Sequence, residues 1–153
     1  MVTTDASPVF LDTNVLVYSV IPESPRCFES RRLIERLEEQ DCELWISRQV
    51  LREFFAVVSR PNILATQATQ TEIQAVLRSL ERRYCLAEEN SLVTEQLFLL
   101  LDQVSVGGRQ IHDANIVATM LAFDIRRLAT YNVSDFRRFG ALIELLPTCE
   151  QAP

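Results

Sequence analysis

Residues 9–17 read Val-Phe-Leu-Asp-Thr-Asn-Val-Leu-Val, an apolar run interrupted by a carboxylate at Asp12. The three hydrophobic residues before Asp12 predict a buried strand, and Asp12 lies at the end of that strand. Open α/β sheets bind their ligands at the carboxyl ends of their strands, so Asp12 is a candidate site residue. Asp and Asn are also good helix N-caps, and Asp12 or Asn14 would serve equally well as the cap of the next helix. The stretch alone leaves both interpretations open.

The chain has the size of one domain, because 153 residues suffice for one substantial core and are too few for two. Hydrophobic residues make up 48% of it, but no apolar run approaches the roughly 18 residues of a membrane span. Residues 1–8 lack the basic start and the apolar centre of a signal peptide. We therefore expect a cytoplasmic protein without a membrane segment.

All 15 basic residues are arginine, and the absence of lysine excludes several kinds of chemistry. A Walker A phosphate loop needs a lysine, and so does a Schiff-base mechanism. The four cysteines form no Cys-x-x-Cys pair and lie far in sequence from the single histidine, His112, so we expect no zinc site. A net charge of −6 argues against broad adhesion to nucleic acid, which leaves only local or metal-assisted contacts with it.

The rest of the chain alternates short apolar strands with helices. Strands are predicted near residues 9–11, 44–46, 85–87, 128–130 and 142–146, and a short helical turn over 134–139. Helix starts are predicted at Ser24-Pro25, Ser47, Thr69, Asn90 or Ser91, and His112. This alternation implies a parallel sheet with helices on both faces.

Four acidic residues stand where a carboxylate could serve a site. Asp12 and Asp135 follow predicted strands, whereas Glu53 and Asp113 lie beside apolar helix stripes. Each alone also fits a structural role, as a cap, a first-turn acid or the edge of an amphipathic helix. Converging carboxylates repel one another, and with neither lysine nor a His/Cys cluster the natural counter-charge is Mg²⁺ or Mn²⁺. Such an ion can activate water for phosphodiester hydrolysis.

At these residues the chain closely resembles the PIN-domain ribonucleases, in particular the VapC-like toxins of toxin–antitoxin pairs. The resemblance rests on residues 10–16, Glu53, residues 111–114 and residues 130–136, which span almost the whole chain. It implies a three-layer α/β/α sandwich with a short, mainly parallel central sheet. It further implies one PIN-like domain over residues 1–153, with a core from about residue 9 to 146.

The resemblance implies a metal-dependent endoribonuclease that uses Mg²⁺, with Mn²⁺ as a substitute, and leaves a 5′-phosphate and a 3′-hydroxyl. Asp12 and Asp113 resemble the central metal ligands, and Glu53 completes the site. The fourth position falls on either Asn132 or Asp135. We predict Asp135, acting directly or through water.

Other polar residues are assigned supporting roles by the same resemblance. Thr130, together with Asn132, gives polar support, and Thr13 and Asn14 orient Asp12 or the attacking water, a role compatible with helix capping. His112 is predicted to be structural or to face RNA rather than to act as a general base. The predicted phosphate contacts are Arg109, Arg137 and Arg138.

The expected partners are an RNA substrate, a cognate antitoxin and a second copy of the chain in a homodimer. One alternative within the same family is an RNA-maturation nuclease without an antitoxin. Another is a catalytically weak or silent PIN-like domain that binds RNA or protein as a scaffold. A further alternative is a structural α/β domain in which all four acids are caps or surface residues.

Overall fold

Five short strands form one parallel sheet in the computed structural model, which describes residues 7–148. The strands are β1 Val9–Leu11, β2 Leu44–Ser47, β3 Cys85–Ala87, β4 Arg127–Ala129 and β5 Glu144–Leu146. Their order in the sheet is β3-β2-β1-β4-β5, and each neighbouring pair is parallel. The chain therefore starts at the centre, builds outward to β3, and then crosses over to add β4 and β5 on the other side of β1.

The strand order reverses between β1 and β4, and such a switch point is where open α/β sheets bind ligands. In this pair Phe10 lies opposite Leu128 and Leu11 opposite Ala129. The backbone N–H of Asp12 extends the pairing by donating to the Ala129 carbonyl at 3.0 Å. The residues that follow the two strands are consequently side by side at the switch point.

Seven α-helices flank the sheet within the described residues, which confirms the predicted α/β/α arrangement. Ser47 caps one helix by accepting from a backbone N–H, Thr69 and Glu72 form a capping box, and Asn90 caps a third helix. The helices are α1 Thr13–Val20, α2 Cys27–Glu39, α3 Arg48–Val58, α4 Gln70–Arg83, α5 Ser91–Gln103, α6 Gln110–Ala122 and α7 Val133–Phe136, and a 3₁₀ turn covers Arg137–Phe139.

The core is centred on β1 and α6. All three residues of β1 are fully buried, and α6 buries Ala114, Ile116, Val117 and Met120 as it packs against α5. Parallel strands covered on both faces are expected to be continuously apolar, as β1 is. Each large aliphatic side chain buried in this way contributes about 1.5–3 kcal/mol to folding. The carboxylates that follow β1 and begin α6 are thus attached to elements that are deeply buried in the core.

β2 runs one residue beyond its predicted end, to Ser47, and two further strands differ slightly from their predicted limits. β4 ends at Ala129, and Thr130 lies just beyond it, where its hydroxyl accepts a hydrogen bond from the N–H of Asn132 at 3.0 Å. β5 starts at Glu144 instead of Leu142, because the N–H of Leu142 donates back to the Phe139 carbonyl at 2.8 Å. Both differences arise from turns whose hydrogen bonds the apolar pattern does not reveal.

Over residues 7–148, no helix combines the length and apolar character needed to cross a bilayer. Cys27, Cys42 and Cys85 carry free thiols. Cys149 lies outside the described residues.

Candidate active site

Asp12 occupies the switch point and is held by three hydrogen bonds. Its Oδ1 accepts from the backbone N–H of Thr13 at 2.7 Å, so Asp12 is also the N-cap of α1. Its Oδ2 accepts from the Thr130 hydroxyl at 2.6 Å and from the Asn14 side-chain amide at 2.9 Å. The two interpretations of the opening stretch are therefore compatible, because the Asp12 carboxylate caps α1 and also lines a cleft at the switch point.

The pKa of Asp12 is raised from 3.8 to about 6, mainly by burial and to a smaller extent by the nearby charges of Glu53 and Asp113. The hydrogen bonds from Thr130 and from the Thr13 backbone oppose this change because they stabilise the ionised form. Asp12 is only 5% exposed, and within residues 7–148 the charged groups that shift its pKa are two carboxylates and not a cation. Its ionised form would therefore be favoured by a cation bound in the cleft.

Glu53, on α3, is held at both of its carboxylate oxygens. Oε2 accepts from the Thr13 hydroxyl at 2.7 Å, and Oε1 accepts from the side-chain amide of Gln49 at 2.7 Å. Thr13 therefore binds Asp12 through its backbone and Glu53 through its side chain. This arrangement fixes the two carboxylates relative to each other, although they lie on different elements.

Gln49 links α3 to α6 and was not identified from the sequence. Its amide nitrogen donates to Glu53 and to the backbone carbonyl of His112 at 3.0 Å, and its carbonyl oxygen accepts from Asn115 at 2.8 Å. The spacing of Gln49 and Glu53, four residues apart on one helix, was the available signal. No local pattern pointed to Asn115, because it is 66 residues away from Gln49 in the chain.

Asp113 lies in the first turn of α6 and is half-buried. Burial raises its pKa, and the negative charges of Asp135 and Glu53 raise it further, whereas Arg138 and His112 lower it. The acids from four elements are thus near enough to affect one another. Such coupling is typical of sites that hold a cation or a proton.

A cleft of about 360 Å³ collects most of the predicted residues. Asp12, Glu53 and Asp113 line it, and so do Thr13, Asn14 and Asn132. Of the four predicted acids, all within the described residues, only Asp135 is not in the lining; it is exposed and acts on Asp113 through its charge. Thr130 is fully buried behind Asp12.

A second hollow of about 920 Å³ adjoins the cleft and shares Glu53 and Arg60 with it. Its lining includes Arg109, as well as Arg52 and His112, so one predicted phosphate-binding arginine lies there. Arg60 borders both hollows and was not identified from the sequence. We call this hollow the basic groove.

The other two predicted arginines lie elsewhere on the surface. Arg138 acts electrostatically on Asp113, and its guanidinium donates to the Ser105 carbonyl at 3.4 Å. Arg137 is exposed at the start of the 3₁₀ turn and lines neither of the two hollows. The structure therefore associates Arg109 and Arg138, but not Arg137, with the acidic cleft or its neighbour.

The cleft offers the ligand chemistry of a hard divalent cation. Its carboxylate, amide and hydroxyl oxygens are the donors that Mg²⁺ and Mn²⁺ prefer. Among residues 7–148, however, no three Asp, Glu, His or Cys side chains are grouped closely enough to hold an ion by themselves. An ion here would have at most two direct carboxylate ligands, and water or a bound phosphate would supply the other oxygens, as is usual for Mg²⁺.

Comparisons with known proteins agree with the sequence and the fold. Residues 9–142 match the PIN domain family. Ribonuclease VapC24 of Mycobacterium tuberculosis is 26% identical over 136 residues, which cover 85% of this chain and 90% of that protein. Because the family match covers most of the chain, the predicted resemblance is confirmed.

Solved structures show the same fold. VapBC2 of Rickettsia felis, bound to a promoter DNA fragment, matches with a TM-score of 0.68 at 21% identity, covering 92% of this chain and 99% of that one. The toxin VapC20 of M. tuberculosis, which cleaves the sarcin-ricin loop, matches with a TM-score of 0.65 at 14% identity, covering 89% and 96%. With its carboxylates at the switch point of a five-stranded parallel sheet, this chain belongs to the PIN domain family.

Proposed function

We propose that the protein is a divalent-metal-dependent endoribonuclease and the toxin of a toxin–antitoxin pair. One observation carries the proposal: Asp12, Glu53 and Asp113 line one cleft at the switch point of a PIN-domain sheet. PIN-domain nucleases of the VapC kind generally depend on a divalent metal, and we propose Mg²⁺, with Mn²⁺ as a substitute. One relative is named a ribonuclease and one structural neighbour is named a toxin that cleaves the sarcin-ricin loop, which supports RNA as the substrate.

In this proposal Asp12 and Asp113 provide the direct carboxylate ligands. When bound, the ion would activate water and stabilise the leaving oxygen of the scissile phosphodiester. Thr130 and Asn14 hold Asp12 in place, and Thr13 positions Glu53 at the edge of the cleft. With few direct ligands, metal binding would strengthen when an RNA phosphate supplies further oxygens.

Asn132 and Asp135 receive different roles. Asn132 lines the cleft, where its amide oxygen can bind the ion or an ordered water. Asp135 is exposed and contributes negative charge near Asp113. We therefore propose Asn132 as the polar residue at the fourth position, and Asp135 as an outer acid that acts through water.

The basic groove would hold the RNA backbone beside the cleft. Arg109 and Arg60 provide guanidinium groups, which match phosphate geometry. His112 also lines the groove and directly precedes Asp113 in α6. Because the chain carries a net charge of −6, RNA contact would be confined to such local patches. Specificity would then depend on the shape of the groove and on unpaired bases.

The proposed protein partners are an antitoxin and a second copy of the chain. Solved neighbours include VapBC complexes from Rickettsia felis and Salmonella typhimurium, which supports the antitoxin. A basic antitoxin segment would complement the acidic cleft. An RNA-maturation nuclease of the same family would have no such partner, so copurification of a small basic protein distinguishes these two functions.

A second candidate function is a silent PIN domain that binds RNA or protein as a scaffold. Two observations favour it: the described residues hold no group of three metal-binding side chains, and an amide occupies the cleft where many nucleases have an acid. The scaffold function predicts that replacing Asp12 leaves the biological activity unchanged.

The test is to incubate the purified chain with structured cellular RNA in Mg²⁺, Mn²⁺ or EDTA and to map the new ends. We expect metal-dependent cuts with 5′-phosphates that disappear in the Asp12→Asn/Asp113→Asn double variant. Identical RNA patterns from the wild type and the double variant in every buffer would refute the nuclease and favour the scaffold.

A further inference from the structure

Two tyrosines and an arginine form a cluster beside the acidic cleft. The rings of Tyr18 and Tyr131 meet edge to face, with 5.3 Å between their centroids and 77° between their planes. The guanidinium carbon of Arg26 lies 4.7 Å from the Tyr131 centroid and 5.4 Å from the Tyr18 centroid. We call these three residues the tyrosine–arginine cluster.

The cluster is tied to the candidate active site by hydrogen bonds. The Tyr131 hydroxyl accepts from the hydroxyl of fully buried Ser30 at 3.0 Å. The backbone N–H of Tyr131 donates to the side-chain oxygen of Asn14 at 3.1 Å, and the Asn14 amide donates to Asp12. Tyr131 is therefore fixed at both its backbone and its hydroxyl, and it directly follows Thr130, which donates a hydrogen bond to Asp12.

Tyr18 is the member of the cluster that lines the cleft, together with Asp12 and Asp113. It is only half-buried, and Arg26 is exposed. An aromatic ring thus lies on the wall of the acidic cleft, and an exposed guanidinium lies beside that ring. Neither residue lines the basic groove, so this is a separate part of the surface.

We propose that Tyr18 and Arg26 together bind one nucleotide of the RNA, with an unstacked base, next to the scissile phosphate. The base stacks on the Tyr18 ring, and Arg26 contacts the phosphate of the same nucleotide. Proteins recognise single-stranded RNA by stacking unpaired bases on aromatic rings and guanidinium planes, and a ring that is already fixed loses little entropy on binding. The choice of RNA as ligand rests on the proposed function.

A purely structural role for the cluster would join α1, α2 and the turn after β4 without contacting RNA. The two roles differ in what the Tyr18 ring does. A structural ring must fill space, so an apolar side chain of similar size would replace it. A stacking ring must present an aromatic face, so phenylalanine would replace it and leucine would not.

The experiment measures binding of a ten-nucleotide oligouridylate that carries one 2-aminopurine, in EDTA so that no cleavage occurs. Stacking on tyrosine quenches the 2-aminopurine fluorescence. We expect quenching with the wild type and with Tyr18→Phe, and roughly ten-fold weaker binding with little quenching for Tyr18→Leu. Arg26→Gln should weaken binding and lower its salt dependence by about one phosphate contact.

Arg83→Gln is the matched control, because Arg83 lies 5.3 Å from the Tyr84 centroid in a similar contact, and neither residue lines the cleft. It should leave both binding and quenching unchanged. Equal binding and quenching by all variants, or no quenching with the wild type, would overturn the inference.

Arg26→Gln keeps the test valid if Tyr18→Leu fails to fold, because Arg26 is exposed. Cleavage measured separately in Mg²⁺ distinguishes the two proposals. If the wild type does not cleave RNA in Mg²⁺, the proposed function is refuted. If the wild type cleaves RNA and Tyr18→Leu quenches the 2-aminopurine fluorescence as strongly as the wild type, only the stacking site is refuted.

Discussion

Gln49→Leu is the substitution that tests most sharply how the candidate active site is held together. Leucine has a similar volume but removes the donor to Glu53 at 2.7 Å and to the His112 carbonyl at 3.0 Å. It also removes the acceptor for Asn115 at 2.8 Å. The substitution therefore releases Glu53 from α6 while its hydrogen bond from Thr13 remains.

The expected loss follows from these three contacts. A hydrogen bond to a charged group contributes about 1.5–3 kcal/mol, and each neutral one about 0.5–1.5 kcal/mol. Glu53 and Asn115 are only half-buried, so water can partly replace the lost partner, and we expect a total of about 2–4 kcal/mol. For a chain of this length that corresponds to a melting temperature lower by roughly 5–15 °C. Metal affinity should fall about 10–100-fold, as is usual when a supporting hydrogen bond is lost.

The assays are thermal unfolding in EDTA and RNA cleavage as a function of Mg²⁺ concentration. Gln74→Leu is the control, because Gln74 is exposed on α4 and lines neither hollow. It should change the melting temperature by no more than about 2 °C. If Gln49→Leu matches the wild type in both assays, Gln49 does not hold the site and the reasoning is wrong.

Three further predictions concern charge. Folding raises the pKa of Asp12 from 3.8 to about 6, so protonation of its carboxyl group stabilises the fold fully below about pH 4, and this stabilisation is lost as the pH rises through 6. Relative to Asp12→Asn, the unfolding free energy of the wild type should therefore increase by up to about 3 kcal/mol from pH 8 to pH 4, as measured by urea titration. Thr130→Val removes the 2.6 Å hydrogen bond to Asp12, and Arg138→Gln removes a charge that lowers the pKa of Asp113. Each substitution should move the acidic limb of the pH–rate profile of cleavage to higher pH, by about one unit for Thr130→Val. An acidic limb that does not move would contradict the assignment. Arg109→Gln should weaken RNA binding and lower the salt slope by about one without changing kcat, whereas an unchanged slope would place the RNA elsewhere.

Most of the fold follows from local sequence signals. The apolar run of β1 is continuous because both faces of the strand are covered, and the caps at Ser47, Thr69 and Asn90 set the starts of three helices. The alternation of elements indicates a parallel sheet. The pattern does not fix which strands are neighbours, and the placement of β4 beside β1 came from the structure.

The candidate site was only partly predictable, for a similar reason. Acids that follow strands or begin helices can be recognised from local spacing, as with Asp12 and Asp113. Gln49 and Asn115 could not be paired, because their contact depends on how α3 packs against α6. Likewise, the choice between Asn132 and Asp135 depends on the direction of the α7 turn, which brings only Asn132 into the cleft lining.

The central claim is that the acids at the switch point form a metal centre. Mn²⁺ binding by electron paramagnetic resonance tests it most directly, because the measurement requires no knowledge of the RNA target. Four proteins are compared at pH 8: the wild type, Asp12→Asn, Asp113→Asn and the control Asp124→Asn. Asp124 is exposed and has a backbone φ of 54°, which asparagine also tolerates, so its substitution should leave the fold intact.

We expect saturable Mn²⁺ binding by the wild type and by Asp124→Asn, and binding at least about ten-fold weaker by Asp12→Asn and Asp113→Asn. Equal binding by all four proteins, or no saturable binding by the wild type, would contradict the account.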